Sequence, residues 1–251
     1  MRRGSRATAA TGISIVIPAH NEALRIAPTL HGYSRYFRDR IELIVVPNGC
    51  TDATFDVVSS LDKKLASPMK ILNFPAAIGK GGAIIEGFRK AVRPLIGFID
   101  ADGATTPQEF DRLCAFLGEN DMIFGSRWIS GATVYNRTSF LRRLASKSFV
   151  TIVKTMFGLP YHDTQCGVKV LTRDALHRIL PYLSTTDSAF DVELLLLARQ
   201  KGLIVREEPT VWTDNDSSVY STSPMKFYRT SLSMFRSLLR LRARSYPKNP
   251  L

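Results

Sequence analysis

The chain has 251 residues, 45% of them hydrophobic and 22% charged, and a formal net charge of +12 at pH 7. That length and composition suit one α/β domain with a full core or two small ones, and no run of about 18 apolar residues offers a membrane span. Three cysteines, Cys50, Cys114 and Cys166, are odd in number and far apart, which argues against a disulfide framework or a zinc cluster and for a reducing cytoplasmic setting.

The first 12 residues, MRRGSRATAATG, are small and basic, lack the apolar core of a signal peptide and read as a disordered tail. Ile13 to Ile17 is a β-branched run closed by Pro18, after which Asn21 and Glu22 open a helical pattern through Leu24, Leu30 and Tyr33. The unit recurs three times. IELIVV at 41–46 precedes a turn and a helix from Thr51, MKILNF at 69–74 precedes a glycine-rich turn and a helix through Ile84 and Phe88, and LIGFID at 95–100 precedes another helix. Four such alternations predict a Rossmann-like α/β fold, a mainly parallel sheet flanked by helices. Right-handed crossovers then bring the strand C-termini to one edge, where open sheets bind ligands, so the loops at 18–22, 47–52 and 100–105 are expected to meet there.

Beyond Arg127 the rhythm changes to a polar stretch, a long helix over about 140–157, the DTQCG segment at 163–167, a helix over about 190–200 and a strand near 203–206. One domain over 13–223 is expected, followed by a basic amphipathic helix and tail over 224–251. In that helix Phe227, Tyr228, Leu232, Met234, Phe235, Leu238, Leu239 and Leu241 fall on one half of the wheel, and Lys226, Arg229, Arg236, Arg240 and Arg244 on the other. It can lie on an anionic bilayer or pack its apolar face on the sheet. Seven basic residues from Lys226 to Lys248 face no acid, and Arg2, Arg3 and Arg6 sit in the N-terminal tail. The charge excess is therefore mostly terminal, and no nucleic-acid partner is expected.

Asp100-Ala101-Asp102 ends an apolar strand, where alternate residues can direct two oxygen ligands toward one hard cation, Mg²⁺ or Mn²⁺, able to neutralise a departing diphosphate. A solvated turn is the plainer reading of the same residues. Gly79-Lys80-Gly81-Gly82 lacks the Gly-Lys-Ser/Thr of a Walker A loop; Lys80 can still meet a phosphate at the helix start, or the glycines can simply make a turn.

Taken in order, PAHNE, IVVPNGCTDAT, GKGGAI, DADGAT, GSR at 125–127, DTQCG and FDVELL at 190–195 resemble the family 2 glycosyltransferases, the later motifs especially the dolichyl-phosphate glucose synthase and polyprenyl-phosphate glycosyltransferase branch. The resemblance spans about residues 13 to 245. It implies a GT-A fold, a nucleotide-sugar donor, a divalent metal on Asp100 and Asp102, and inversion at the anomeric carbon. It further implies that Pro18, Ala19, Asn21 and Glu22 line the nucleotide pocket together with Asn48, Lys80 and Ala101, and that Arg127 faces the phosphates. The family's usual Asp-Asp-Gly-Ser turn is Pro47-Asn48-Gly49-Cys50 here, which leaves the base open between uracil and guanine; a UDP-sugar, with glucose first, is favoured over a GDP-sugar.

The branch implies a polyprenyl phosphate acceptor, and a phosphate arrives already ionised, so it calls for cations rather than a base. Arg142, Arg143, Ser146 and Lys147, close together on the long helix, can supply donors, although a solvated basic face is the commoner fate of such a cluster. Asp191 and Glu193 stand where related transferases carry an acidic pair; two apart on a helix, they cannot share a face, and Asp191 is preferred. Asp163 and Gln165 are expected to hold sugar or acceptor hydroxyls, or to pack their loop. A hydroxyl acceptor, and a noncatalytic protein binding membrane or nucleic acid, are the competing functions. The leading expectation is a peripheral enzyme at the cytoplasmic membrane face.

Overall fold

The computed structural model describes residues 12–135, 140–213 and 224–244, with backbone only for 140–145 and 224–231. The expected disordered tail thus falls outside the described residues except for Gly12. Strands β1 (Ile13–Ala19) and β2 (Ile41–Pro47) enclose helix α1 (Ile26–Phe37); α2 (Thr54–Leu61), β3 (Met69–Ile71), α3 (Gly79–Lys90), β4 (Leu95–Phe98), α4 (Pro107–Leu117) and β5 (Met122–Ser126) continue the alternation. Then come β6 (Thr133–Tyr135), α5 (Phe140–Phe157), β7 (Lys169–Thr172), α6 (Arg173–Ile179), α7 (Phe190–Gln200), β8 (Val205–Pro209), β9 (Val211–Thr213) and α8 (Pro224–Ala243).

Seven strands form one sheet in the order β3-β2-β1-β4-β7-β5-β8. All neighbours run parallel except β7, which lies antiparallel between β4 and β5, pairing Phe98 with Lys169 and Phe124 with the same residue. Every residue of β2 is buried, as an apolar run covered on both faces requires. Helices α1, α2 and α4 cover one face through Leu30, Tyr33, Val58, Phe110 and Leu113; α3, α6 and α7 cover the other through Ile84, Phe88, Leu176 and Leu194. The chain moves outward from β1 through β2 to β3, then returns to place β4 on the other side of β1. That reversal opens a crevice between the C-terminal ends of β1 and β4.

The structure adds detail to the mainly parallel sheet that the sequence predicts. The last large-sheet strand begins at Val205 rather than near 203, β7 enters antiparallel, and β6 pairs with β9 in a separate two-stranded sheet. The apolar half of α8 is also divided. Leu238 and Leu241 enter the core, whereas Phe235 and Leu239 remain 41% and 48% exposed. Phe227, Tyr228, Lys226 and Arg229 lie outside the residues whose side chains are described.

The GKGG turn takes its glycines from packing. Gly79 has φ +76°, and a Cβ there would sit 2.2 Å from the Thr186 carbonyl oxygen. At Gly81 it would sit 2.3 Å from the Thr185 carbonyl oxygen and 2.6 Å from Phe190 Cβ. The Gly82 N–H donates to the Thr186 carbonyl at 3.1 Å. These positions seat the 185–187 turn, which leads into α7, on the start of α3. Gly81→Ala is therefore expected to lower stability by about 1–3 kcal/mol, as overpacking does. Gly32→Ala, with 3.7 Å of clearance from Pro107, should be neutral or stabilising by about 0.5–1 kcal/mol. Urea unfolding of the two variants checks the contrast; equal effects would contradict it.

Candidate active site

The crevice is framed by two loops stapled to each other. Asn21 adopts the left-handed conformation at φ +57°, and its Oδ1 accepts from the Thr51 N–H at 2.8 Å. Asp52 accepts from the Ala23 N–H, and Thr54 Oγ1 accepts from the Glu22 N–H at 2.7 Å. Pro18 is half-buried and Ala19 buried at the end of β1. Asn48 is 4% exposed, and its Nδ2 donates to the Ala19 carbonyl at 3.2 Å. A carboxylate has no proton to give there, so the neutral amide at this position ties β1 to β2. The side-chain carbonyl of Asn21 is likewise committed to its neighbouring loop.

Glu22, Asp100 and Asp102 converge at the ends of β1 and β4. Burial raises the Glu22 carboxyl pKa; Arg25, bonded to Oε1 at 2.7 Å, opposes this, while the charges of Asp102 and Asp100 reinforce it. Glu22 Oε2 is buried without a hydrogen-bond partner. Asp102 is raised by burial and then by Asp100, although it accepts from the Ala104 N–H at 3.0 Å. Lys80 reaches Asp100 at 2.6 Å. Burial alone would depress the lysine, but Asp100, Asp191 and Asp102 hold it protonated well above the usual lysine range. Ala101 is buried between the two aspartates, its carbonyl accepting from Thr29 Oγ1 at 2.9 Å. From Asp102 a cleft of about 620 Å³ runs between α1 and the 102–107 turn, past Arg25, Thr29 and Tyr33.

Gly167 lies directly against Asp100, where a Cβ would come within 1.9 Å of Oδ2. Among the described residues no group of three or more His, Cys, Asp and Glu side chains forms a ready metal cage. The donor set still suits a hard cation of the magnesium type, which takes one or two carboxylates and fills its remaining positions with water and substrate phosphate. The mutual repulsion at Asp102, and the orphaned oxygen of Glu22, are what added positive charge would relieve.

On the far side, Arg127 and Asp163 pair with each other. Asp163 is fully buried and accepts from the Arg127 backbone N–H, Nε and Nη2 at 2.7–2.9 Å. Burial opposes the guanidinium charge, but Asp163 holds Arg127 well above the ordinary arginine range. The Arg127 guanidinium also stands 5.2 Å from the centre of the Trp212 ring. Asp163 is thus no open hydroxyl binder, because both its oxygens serve Arg127. Gln165 donates to the Ser188 carbonyl at 3.3 Å, which packs its loop against the entry to α7.

The acidic pair of α7 is split, as its spacing requires. Asp191, 2% exposed, accepts from Lys169 Nζ at 2.6 Å. Glu193 is fully buried and accepts from the Ser184 N–H and hydroxyl, the Thr185 N–H and Arg244, all within 3.2 Å. The expectation of Glu193 as an alternative base fails on this geometry, since its oxygens cap the turn before α7 and anchor α8. Ser146 is half-buried on α5, and the side chains of Arg142 and Arg143 lie outside the described residues. The sequence reading missed Lys169. Its signal was a lysine inside the apolar run Val168-Lys169-Val170-Leu171.

Comparison with known proteins bears on what such a site does. The glycosyl transferase family 2 model matches residues 14–180. A dolichyl-phosphate beta-glucosyltransferase of Dictyostelium discoideum is 30% identical over 247 residues, covering 92% of this chain and 74% of that protein. The protein of the same description from Saccharomyces cerevisiae is 32% identical over 230 residues, covering 82% and 68%. In fold, the chain matches glucosyl-3-phosphoglycerate synthase of Mycobacterium tuberculosis in complex with Mn²⁺, UDP and glucosyl-3-phosphoglycerate, with a TM-score of 0.68 at 18% identity over 96% of this chain and 83% of that one.

The crowded carboxylates make a stability prediction. A raised carboxyl pKa means that the ionised form of Asp102 costs stability above its folded value and costs nothing below the ordinary aspartate value of 3.8. Asp102→Asn keeps an oxygen for the Ala104 N–H and removes the charge. Without metal or nucleotide, it should raise the melting temperature at pH 7 by about 2–4 °C, the effect of about 1 kcal/mol in a chain of this size. The gain should shrink as pH falls toward about 4. A lower melting temperature at pH 7 would refute the account.

Proposed function

The chain belongs to glycosyl transferase family 2, and from that premise we propose that it transfers glucose from UDP-glucose to a dolichyl-type polyprenyl phosphate. Its fold is that of the GT-A glycosyltransferases. The observation that carries the reading is the meeting of Asp100, Asp102 and Lys80 at the β1–β4 crevice, combined with relatives described as dolichyl-phosphate beta-glucosyltransferases over most of the chain. A beta product from an alpha-linked donor requires inversion, hence a single in-line displacement. The acceptor phosphate oxygen forms the new bond to the anomeric carbon as the bond from that carbon to the diphosphate breaks.

In this reading Asp102 and Asp100 would hold Mg²⁺ or Mn²⁺, which when bound neutralises charge on the departing diphosphate. The UDP and Mn²⁺ carried by the structural neighbour support that choice. Lys80, kept charged by its acidic neighbours, turns to the diphosphate. Pro18, Ala19, Asn21 and Asn48 shape the nucleoside side through the stapled loops, and Glu22 adds its unpartnered oxygen at the floor. Arg127, braced by Asp163, together with Arg142, Arg143 and Ser146 on α5, receives the acceptor phosphate. Asp191 orients the reacting groups. No base is required, because a phosphate monoester is already ionised near neutral pH.

Such an acceptor carries its tail in a bilayer, so the enzyme must meet a surface. No helix among the described residues is long and apolar enough to cross a membrane. The outward face of α8, with Phe235 and Leu239 among the exposed Arg236, Arg240 and Arg242, suits peripheral docking on an anionic cytoplasmic leaflet.

Incubating the purified chain with UDP-glucose, Mn²⁺ and a short polyprenyl phosphate should yield a glucosylated lipid phosphate. EDTA should abolish it and added Mn²⁺ restore it; Asp102→Asn should lower turnover by at least about 100-fold. Absence of lipid-linked product across UDP- and GDP-sugars, or product only on a hydroxyl acceptor, would overturn the assignment. In vesicle sedimentation, Phe235→Glu with Leu239→Glu should reduce binding to anionic vesicles without shifting the melting temperature. Unchanged binding would remove α8 from the docking surface.

A further inference from the structure

Lys169 is fully buried at the start of the interior strand β7. Its ammonium donates to Asp191 Oδ1 at 2.6 Å and to the Cys166 carbonyl at 2.8 Å, and lies 5.3 Å and 5.9 Å from the ring centres of Phe98 and Phe124. A lysine is rarely enclosed so completely unless it is paired, and the rings add a favourable electrostatic contact. The two oxygens it grips come from different parts of the molecule: Asp191 from the first turn of α7, and Cys166 from the turn that presses Gly167 onto Asp100.

We propose that Lys169 is a positioning residue for the transfer reaction, fixing Asp191 and the 166–167 turn together while cancelling the Asp191 charge beside a site that must admit an anionic acceptor. The inference rests on the proposed phosphate acceptor. An isolated Asp191 carboxylate would repel an incoming phosphate. Paired with a buried ammonium, it is locally neutral, and its second oxygen remains an acceptor for a sugar hydroxyl. The same bond sets the carboxylate's direction, which preorganises it for that task.

Lys169→Met, Lys169→Arg and the double variant Lys169→Met with Asp191→Asn test this, with kcat, KM for the polyprenyl phosphate, UDP affinity with Mn²⁺ and melting temperature as readouts. Lys169→Met should lower kcat by about 100-fold, as a misplacement of about 1 Å does. It should also raise KM for the lipid phosphate by about 10-fold while leaving UDP affinity within about 3-fold, from charge repulsion confined to the acceptor. Lys169→Arg, which keeps the charge, should hold KM nearer the wild-type value than Lys169→Met does. In the double variant the melting temperature and KM should return toward wild type, because no buried charge is left alone, but kcat should stay low. Recovery of kcat with stability would mean that Lys169 only neutralises a buried acid, and would overturn the proposal. So would a kcat and KM within about 3-fold of wild type in Lys169→Met. Should Lys169→Met fail to fold, Lys169→Arg decides instead: a lowered kcat with KM near wild type supports the positioning role, and a kcat within about 3-fold of wild type overturns it. Wild-type transfer to the lipid phosphate, run alongside, tests the acceptor reading separately: its loss sinks that reading, whereas wild-type activity with unaffected variants sinks only the role of Lys169.

Discussion

The structure is organised around a repulsion that it does not itself resolve. Glu22, Asp100 and Asp102 come from the loops after two strands far apart in sequence, yet the β1–β4 reversal brings their charges near one another. Burial and neighbouring like charges raise the proton affinity of Glu22 and Asp102, and Arg25 and Lys80 offset only part of this. In the reaction proposed above, a cation bound with the diphosphate would offset the charge of these acids. The stapling of loops by Asn21, Thr51, Asp52 and Thr54 keeps the carboxylates from relaxing apart.

Close backbone approach joins the donor side to the far side. Gly167 permits the 166–167 turn to touch Asp100, and Gly79 and Gly81 permit the 185–187 turn to sit on the start of α3, whose Lys80 reaches that same aspartate. The two contacts converge on one carboxylate. Lys169 closes the circuit by binding both the 166–167 turn and α7. Asp100, α3, α7 and the 166–167 turn are thereby held as one packed unit through these backbone approaches and the two lysine contacts.

The parts of this arrangement legible in sequence were those governed by local periodicity. IELIVV and LIGFI announce strands covered on both faces, and the repeated strand, turn and helix predicts that Asp100 and Glu22 meet at one sheet edge. What the residues did not disclose depends on long-range pairing. Nothing local in Lys169-Val170-Leu171-Thr172 distinguishes an antiparallel insertion from a parallel strand, and the partner of Asp163 is a residue 36 positions earlier. Three-residue strands such as β6 and β9 carry too few side chains to show an alternation. The glycines of GKGG were ambiguous for a related reason: a glycine required by a phosphate and one required by a neighbouring backbone look alike until that neighbour is known.

The C-terminal helix illustrates how one amphipathic pattern can serve two surfaces. Read on a wheel, its apolar residues form a single half, but the helix turns Leu238 and Leu241 into the core and leaves Phe235 and Leu239 outside. The inward side is fixed by polar contacts as well: Ser237 donates to Asp187, and Arg244 reaches Ser184, Thr185 and Glu193. Asp187 and Thr185 belong to the turn that rests on α3, and Glu193 to α7, so the helix braces both. Because its outward residues take no part in that bracing, a lipid surface can engage them without competing for the inner contacts. In the docking proposed above, this separation would let the outer face meet a membrane while the inner contacts stay in place.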